Sequence, residues 1–95
     1  MLARIQAGDV TVVDVRPVEE YAAGHIPGAL SVPLERLADR LADLPADGRI
    51  VAYCRGAYCV MAHEAVRELT ARGRNAARLA DGMLEWRLAE LPVAS

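Results

Sequence analysis

Ile50-Val51-Ala52-Tyr53-Cys54-Arg55-Gly56-Ala57-Tyr58-Cys59-Val60 passes from a strand pattern to a helix pattern across one short loop. Ile50 to Tyr53 is a short apolar run, the signature of a strand buried on both faces. Ala62, Ala65, Val66 and Leu69 then recur at helical spacing, and Gly73 stops that helix. Asn75 to Leu79 is a further expected strand. A strand leading directly into a helix and back to a strand is a parallel crossover unit.

Upstream, the β-branched run Val10 to Val15 predicts another buried strand. Arg16-Pro17 ends it, and Pro17 suits the first turn of a short helix carrying Glu19, Glu20 and Tyr21, closed by Gly24. Residues 25–29 read as a loop and Leu30 to Val32 as a very short strand. Pro33 opens an expected helix with Leu34, Leu37, Ala38 and Leu41 on one face, closed by Pro45 and Gly48. Asp81-Gly82 turns into a last helix, with Leu84 and Leu88 on one side and Pro92 as its end. Leu2, Ile5 and Gln6 read as the tail of a helix stopped by Gly8. The expected architecture is α/β, and in such sheets ligands bind at the carboxyl ends of the strands.

Composition narrows the function. The 95 residues are 54% hydrophobic and 25% charged, enough for one core and one domain. A net charge of −2 argues against nucleic-acid binding by this domain. All eleven basic residues are Arg, which excludes Schiff-base and P-loop lysine chemistry. No apolar run approaches the roughly 20 residues of a membrane span, and the N-terminus lacks a secretion signal's pattern. The cytoplasm is the expected compartment, where the two cysteines stay reduced unless they do redox work.

The loop after Tyr53 carries the chemistry. Amides at a helix start are unpaired and the helix dipole there is positive, so a thiol held over them ionises more readily. Gly56 lets the backbone approach a bound group, and Arg55 adds a permanent cation. Cys54 taken alone is better explained as a small buried hydrophobe; the strand–Cys–Arg–Gly–helix context reverses that preference.

Taken in order, Val13-Asp14-Val15-Arg16, Glu20-Tyr21, Gly24-His25-Ile26-Pro27-Gly28-Ala29, Cys54-Arg55-Gly56, Asp81-Gly82, Glu85-Trp86 and Leu91-Pro92-Val93 resemble the signatures of rhodanese homology domains. The resemblance implies a three-layer fold with a mainly parallel central sheet of four to five strands flanked by helices. It implies Cys54 as the residue that takes up sulfane sulfur as a persulfide. It implies a substrate loop of Arg55, Gly56, Ala57, Tyr58, Cys59 and Val60 whose amides cradle the sulfur and the leaving anion. Asp14, Arg16, His25 and Gly28 fall in the structural signature. The whole of 1–95 is expected to be one such domain, lacking the strand that often precedes the family's first helix.

The variant Cys-Arg-Gly-x-Tyr-Cys-Val followed by His63-Glu64-Ala65 is similar to rhodanese domains fused behind winged-helix ArsR-type transcription regulators. The expected origin is therefore an excised C-terminal domain or a free-standing relative. The expected partners are a small sulfur-containing anion or persulfide donor, a thiol acceptor and an attached regulator domain, with no cofactor, no metal and no membrane. Many members carry a basic or hydroxyl residue where Cys59 stands, so the donor stays open between thiosulfate and a persulfide.

Cys59 is a candidate resolving thiol for a Cys54 persulfide or sulfenic acid, against the plainer reading of a packed first-turn residue. That pair suggests a second function, a sulfane-sulfur or redox sensor for the attached regulator. His63, four residues after Cys59, completes a soft three-ligand set on paper but falls off the apolar stripe and reads as a surface residue. Phosphatase chemistry requires an Arg six residues after the Cys, where this chain has Val60. Asp14 is expected to accept backbone N–H bonds, Arg16 to pair with Glu19 or Glu20, and His25 to hold the loop rather than act as a base. Trp86 is expected in the core. Tyr58 reads equally well as a pocket wall or an exposed loop residue.

Overall fold

The computed structural model describes residues 10–44, 48–56, 60–79 and 82–95. Four strands form one parallel sheet: β1 (Val10–Asp14), β2 (Leu30–Ser31), β3 (Arg49–Tyr53) and β4 (Asn75–Arg78), in the order β2-β1-β3-β4. Among the described residues, three α-helices accompany them: α1 (Val18–Ala23), α2 (Val60–Ala71) and α3 (Met83–Leu88). From β1 the chain steps out to β2 and then returns to β3 on the other side of β1. The sheet's switch point thus lies between the carboxyl ends of β1 and β3, where ligands of parallel sheets bind.

Both faces of the sheet are covered, which is why its strands are apolar throughout. The pleat sorts successive residues onto opposite sides. Val13, Val15, Ile50, Ala52 and Cys54 pack with Ala62, Ala65 and Leu69 of α2. Val10, Val12, Val51 and Tyr53 pack with Met83 and Trp86 of α3 and with Ile26 of the loop after α1. Cys54 therefore continues the phase of Ile50 and Ala52 and emerges on the α2 side.

Two sequence expectations are corrected. The helix expected after Pro33 is instead two 3-10 turns, Leu34–Arg36 and Leu41–Asp43. Bonds of the i to i+3 kind hold them, from Leu37 N–H to the Leu34 carbonyl and from Leu44 N–H to the Leu41 carbonyl. The tighter winding turns Leu37 and Leu44 inward and leaves Ala38 exposed. In α3 the core face is Met83 and Trp86, whereas Leu84 and Leu88 are exposed. A six-residue helix packs by its largest apolar side chain, and the Trp86 ring wins over two leucines. Its indole N–H also finds a partner, the Pro92 carbonyl at 2.6 Å. The helix tail read at residues 2–8 lies outside the described residues.

Candidate active site

The floor of the site is a buried polar cluster at the carboxyl ends of β1 and β3. Asp14 is fully buried, and Arg16 nearly so. The Arg16 Nε donates to both Asp14 oxygens at 3.0 and 3.1 Å, and Nη2 donates to Oδ2 at 2.6 Å. The Arg16 backbone N–H donates to Asp14 Oδ1 at 3.0 Å, and Nη2 also reaches the Gly24 carbonyl at 2.7 Å. Tyr53, register partner of Asp14, donates its hydroxyl to Asp14 Oδ2 at 2.8 Å and accepts the Ile26 N–H at 3.1 Å. The Arg16 guanidinium sits 5.9 Å from the Tyr53 ring centroid.

These partners set the protonation states. Burial and then the Asp14 charge push the Tyr53 phenol far above its ordinary value, so it remains a donor. Burial alone would lower the Arg16 pKa, but the Asp14 hydrogen bonds and charge outweigh it and the net shift is upward. The expected pairing of Arg16 with Glu19 or Glu20 is therefore corrected. Asp14 lies two residues away with its carboxylate already buried, and a buried charge needs a partner more than an exposed one does.

The loop 24–29 is tied down from several sides. His25 exchanges backbone bonds with Ala94, its ring stacks on Tyr21 at 3.7 Å, and Nδ1 lies 2.9 Å from the Tyr21 carbonyl. Tyr21 Oη donates to the Ala29 carbonyl at 2.7 Å. Ala29 N–H closes on the Ile26 carbonyl across Pro27-Gly28, and Gly28 has φ 87°, the left-handed value a turn with Pro at its second position requires next. This loop delivers Ile26 to Tyr53 and Gly24 to Arg16.

On that floor sits the Cys54 loop. Cys54 is 1% exposed and is disulfide-bonded. The Cys54 and Arg55 carbonyls face α3: Met83 N–H donates to Cys54 O at 3.0 Å and Leu84 N–H to Arg55 O at 2.7 Å. The first turn of α3 thus fixes the loop's carbonyl side, with its own start closed by Gly82 N–H donating to Glu85 Oε1 at 2.8 Å. Val60, the first residue of α2, is exposed. Ala57, Tyr58 and Cys59 lie outside the described residues. His63 is exposed on α2.

Arg55 has a carboxylate partner that the sequence reading did not name. Its guanidinium forms a two-bond pair with Glu20 of α1, Nε to Oε1 at 2.8 Å and Nη2 to Oε2 at 2.7 Å. The loop's own cation is thus occupied by a carboxylate. Each group holds the other ionised: the Arg55 hydrogen bonds lower the Glu20 pKa, and Glu20 raises that of Arg55.

Gly82 is the position where the site tolerates no side chain. A Cβ there would run into Gly56 N, reach 2.5 Å from Gly56 Cα and 2.8 Å from the Arg55 carbonyl carbon. A Cβ on Gly56 would make only ordinary contacts with Glu85 and Leu84 among the described residues. The tight glycine is therefore the one beneath the loop. We expect Gly82→Ala to push the Cys54 loop off α3, costing about 1–3 kcal/mol of stability as overpacked sites do. Urea unfolding checks the cost; a variant as stable as the parent would contradict this contact.

Two sequence signals for this site went unread. Tyr53 closes an apolar strand, and a buried tyrosine hydroxyl requires a polar partner. Glu20 was read as a signature residue and a partner for Arg16, and its pairing with Arg55 was missed because that partner lies 35 residues away.

On the α2 side of the sheet, a cavity of about 230 Å³ is lined by Val15, Pro17, Pro33, Leu34, Glu35 and Met61. Val15, Leu34 and Met61 belong to or pack on the same core cluster as Cys54. It adjoins a wider, charged groove of about 620 Å³.

A four-stranded parallel sheet flanked by helices is the fold the sequence signatures implied. The chain belongs to the rhodanese-like domain family, whose pattern matches residues 1–89. It is 67% identical over 93 residues to an HTH-type transcriptional regulator of Mycobacterium tuberculosis, covering 98% of this chain and 41% of that protein. It is 32% identical over 88 residues to a sulfurtransferase of Allochromatium vinosum, covering 92% of this chain and 80% of that one. Among solved structures, a Lactobacillus plantarum protein superposes with a TM-score of 0.90 at 28% identity, covering 99% of this chain and 82% of that chain. The chain thus spans less than half the length of the mycobacterial regulator. Among the described residues, no helix is long and apolar enough to cross a membrane.

Proposed function

We propose that this chain is a rhodanese-type sulfurtransferase that carries sulfane sulfur as a persulfide on Cys54. The observation that carries the reading is the position of Cys54, at the carboxyl end of β3 and at the sheet's switch point. Its loop carbonyls are held by α3 amides, which fixes the backbone of the nucleophile. The likeness to a sulfurtransferase over most of both chains supports the same reading.

In the proposed reaction the reduced Cys54 thiolate attacks the outer sulfur of a donor. With thiosulfate, the donor's S–S bond breaks, its electron pair leaves with sulfite, and Cys54 becomes the perthiolate. An acceptor thiolate then attacks the outer sulfur of Cys54–S–S⁻ and leaves as a persulfide, which returns the Cys54 thiolate. The loop amides from Arg55 to Val60 would stabilise both anions, as preorganised donors do for an oxyanion. The physiological setting in this reading is the cytoplasm, with a small sulfur anion or persulfide as donor and a thiol as acceptor. The domain itself would neither bind nucleic acid nor need a metal or cofactor. The test is steady-state sulfur transfer from thiosulfate or a persulfide to a thiol by reduced, desalted protein. Turnover is expected, and its absence with both donors would overturn the reading.

A second reading is favoured by one observation, the disulfide state of Cys54. In it the domain senses sulfane sulfur or oxidants for an attached winged-helix regulator, with Cys59 as resolving thiol. Cys59 thiolate would attack the inner sulfur of the Cys54 persulfide and release hydrosulfide, leaving a Cys54–Cys59 disulfide. The identity to a transcriptional regulator supports this setting.

A further inference from the structure

We infer that Glu20 sets the charge selectivity of the Cys54 site, by holding Arg55 out of reach of the donor and so disfavouring dianionic donors against donors without net charge. The inference rests on the sulfurtransferase reading above and concerns the donor class of that same site. Arg55 directly follows the nucleophile, so its guanidinium is the cation the loop itself offers to an incoming anion. Among the described residues its guanidinium donates to both oxygens of the Glu20 carboxylate. That pair projects outward, with the Arg55 side chain 59% and the Glu20 side chain 32% exposed.

The surroundings point the same way. The groove at the end of β2, lined in part by Glu19 next to Glu20 on α1, carries Glu19, Glu35 and Asp39 against Arg36 and Arg40. Arg40 is itself engaged, its Nε donating to Asp43 at 2.6 Å. Arg16, beneath the site, is buried and committed to Asp14 and Gly24. A dianion such as thiosulfate meets three carboxylates against two arginines in that groove, one of them already paired, and local fields of one sign repel ions of that sign. A persulfide bearing an ammonium group meets no such penalty.

An exposed ion pair is weak, so releasing Arg55 is worth only a few-fold in rate. The experiment measures loading of Cys54 by one sulfur atom, followed by intact mass on reduced, desalted protein. The two donors are thiosulfate and cysteamine persulfide, whose ammonium balances its perthiolate. Thiosulfate loses sulfite and the persulfide loses cysteamine, so both reactions leave the same product on Cys54.

Glu20→Gln is expected to raise the thiosulfate-to-persulfide ratio of loading rates by about two- to fivefold. The double variant Glu20→Gln/Arg55→Gln is expected to lose that gain, since no freed cation remains. A ratio unmoved by Glu20→Gln, or both rates falling together, would overturn the inference and give Glu20 a merely structural role. A gain that survives in the double variant would overturn the role of Arg55. Failure of both donors to load any variant would instead overturn the sulfurtransferase reading, and the inference with it.

Discussion

Asp14→Ala is expected to destabilise the fold by about 3–5 kcal/mol, the cost of leaving a buried charge without its partner. Asp14 accepts from Arg16 Nε, Arg16 Nη2, the Arg16 backbone and Tyr53 Oη. Without it the guanidinium keeps the Gly24 carbonyl and the Tyr53 ring, and the Tyr53 hydroxyl loses its acceptor. Domains of this kind are stable by about 5–15 kcal/mol in total, so the loss consumes a large share. Asp14→Asn keeps the size and one acceptor oxygen and should fall between the two. Urea unfolding of the three proteins checks the order. A loss below about 1 kcal/mol for Asp14→Ala would place the cluster in the range of exposed pairs and contradict its structural role.

Cys54→Ser is expected to remove sulfur transfer altogether. A serine hydroxyl is almost wholly protonated at neutral pH, and an oxygen–sulfur link in place of the persulfide gives no route onward to an acceptor thiol. In enzymes whose residues act as a unit, loss of the nucleophile costs on the order of 10⁴–10⁶ in turnover. Because Cys54 is a small buried residue, the serine variant should still fold, and matching urea curves of the two proteins under reducing conditions would separate lost chemistry from lost structure. Transfer by Cys54→Ser within tenfold of the parent would show that the sulfur passes elsewhere.

The parts of this structure that were legible in the sequence are the parts governed by local patterns. The runs 10–15 and 50–53 announce buried parallel strands, because both faces of those strands meet apolar layers. The helix stripe Ala62, Ala65, Val66, Leu69 describes α2, and three of those four residues are fully buried. The segment after Pro33 misled because apolar residues spaced by three and four fit one 3.6-residue helix and successive 3-10 turns alike. Trp86 read correctly as core, while the leucines beside it did not, since a two-turn helix has too few positions to define a stripe.

The site was legible as a cysteine on a strand-to-helix loop, and illegible in its charges. Asp14 and Arg16 stand two apart, a spacing that puts side chains on one side of an extended chain, yet the nearer-looking glutamates drew the expected pairing. Asp14 with Tyr53 and Glu20 with Arg55 are joined by sheet register and by α1 crossing to the loop, 39 and 35 residues apart in the chain. No local rule reaches that far. Gly82 was visible as a turn residue, but its contact with Gly56 exists only once α3 is packed against β3 and its loop.

The central claim is that Cys54 carries sulfur, and intact mass spectrometry reads it most directly. Reduced, desalted protein is incubated briefly with thiosulfate, then separately with a persulfide, beside the Cys54→Ser control. The account predicts a gain of one sulfur atom's mass on the parent, mapped to Cys54 and absent from the control. A parent mass unchanged by either donor, or an equal gain on the Cys54→Ser control, would contradict it.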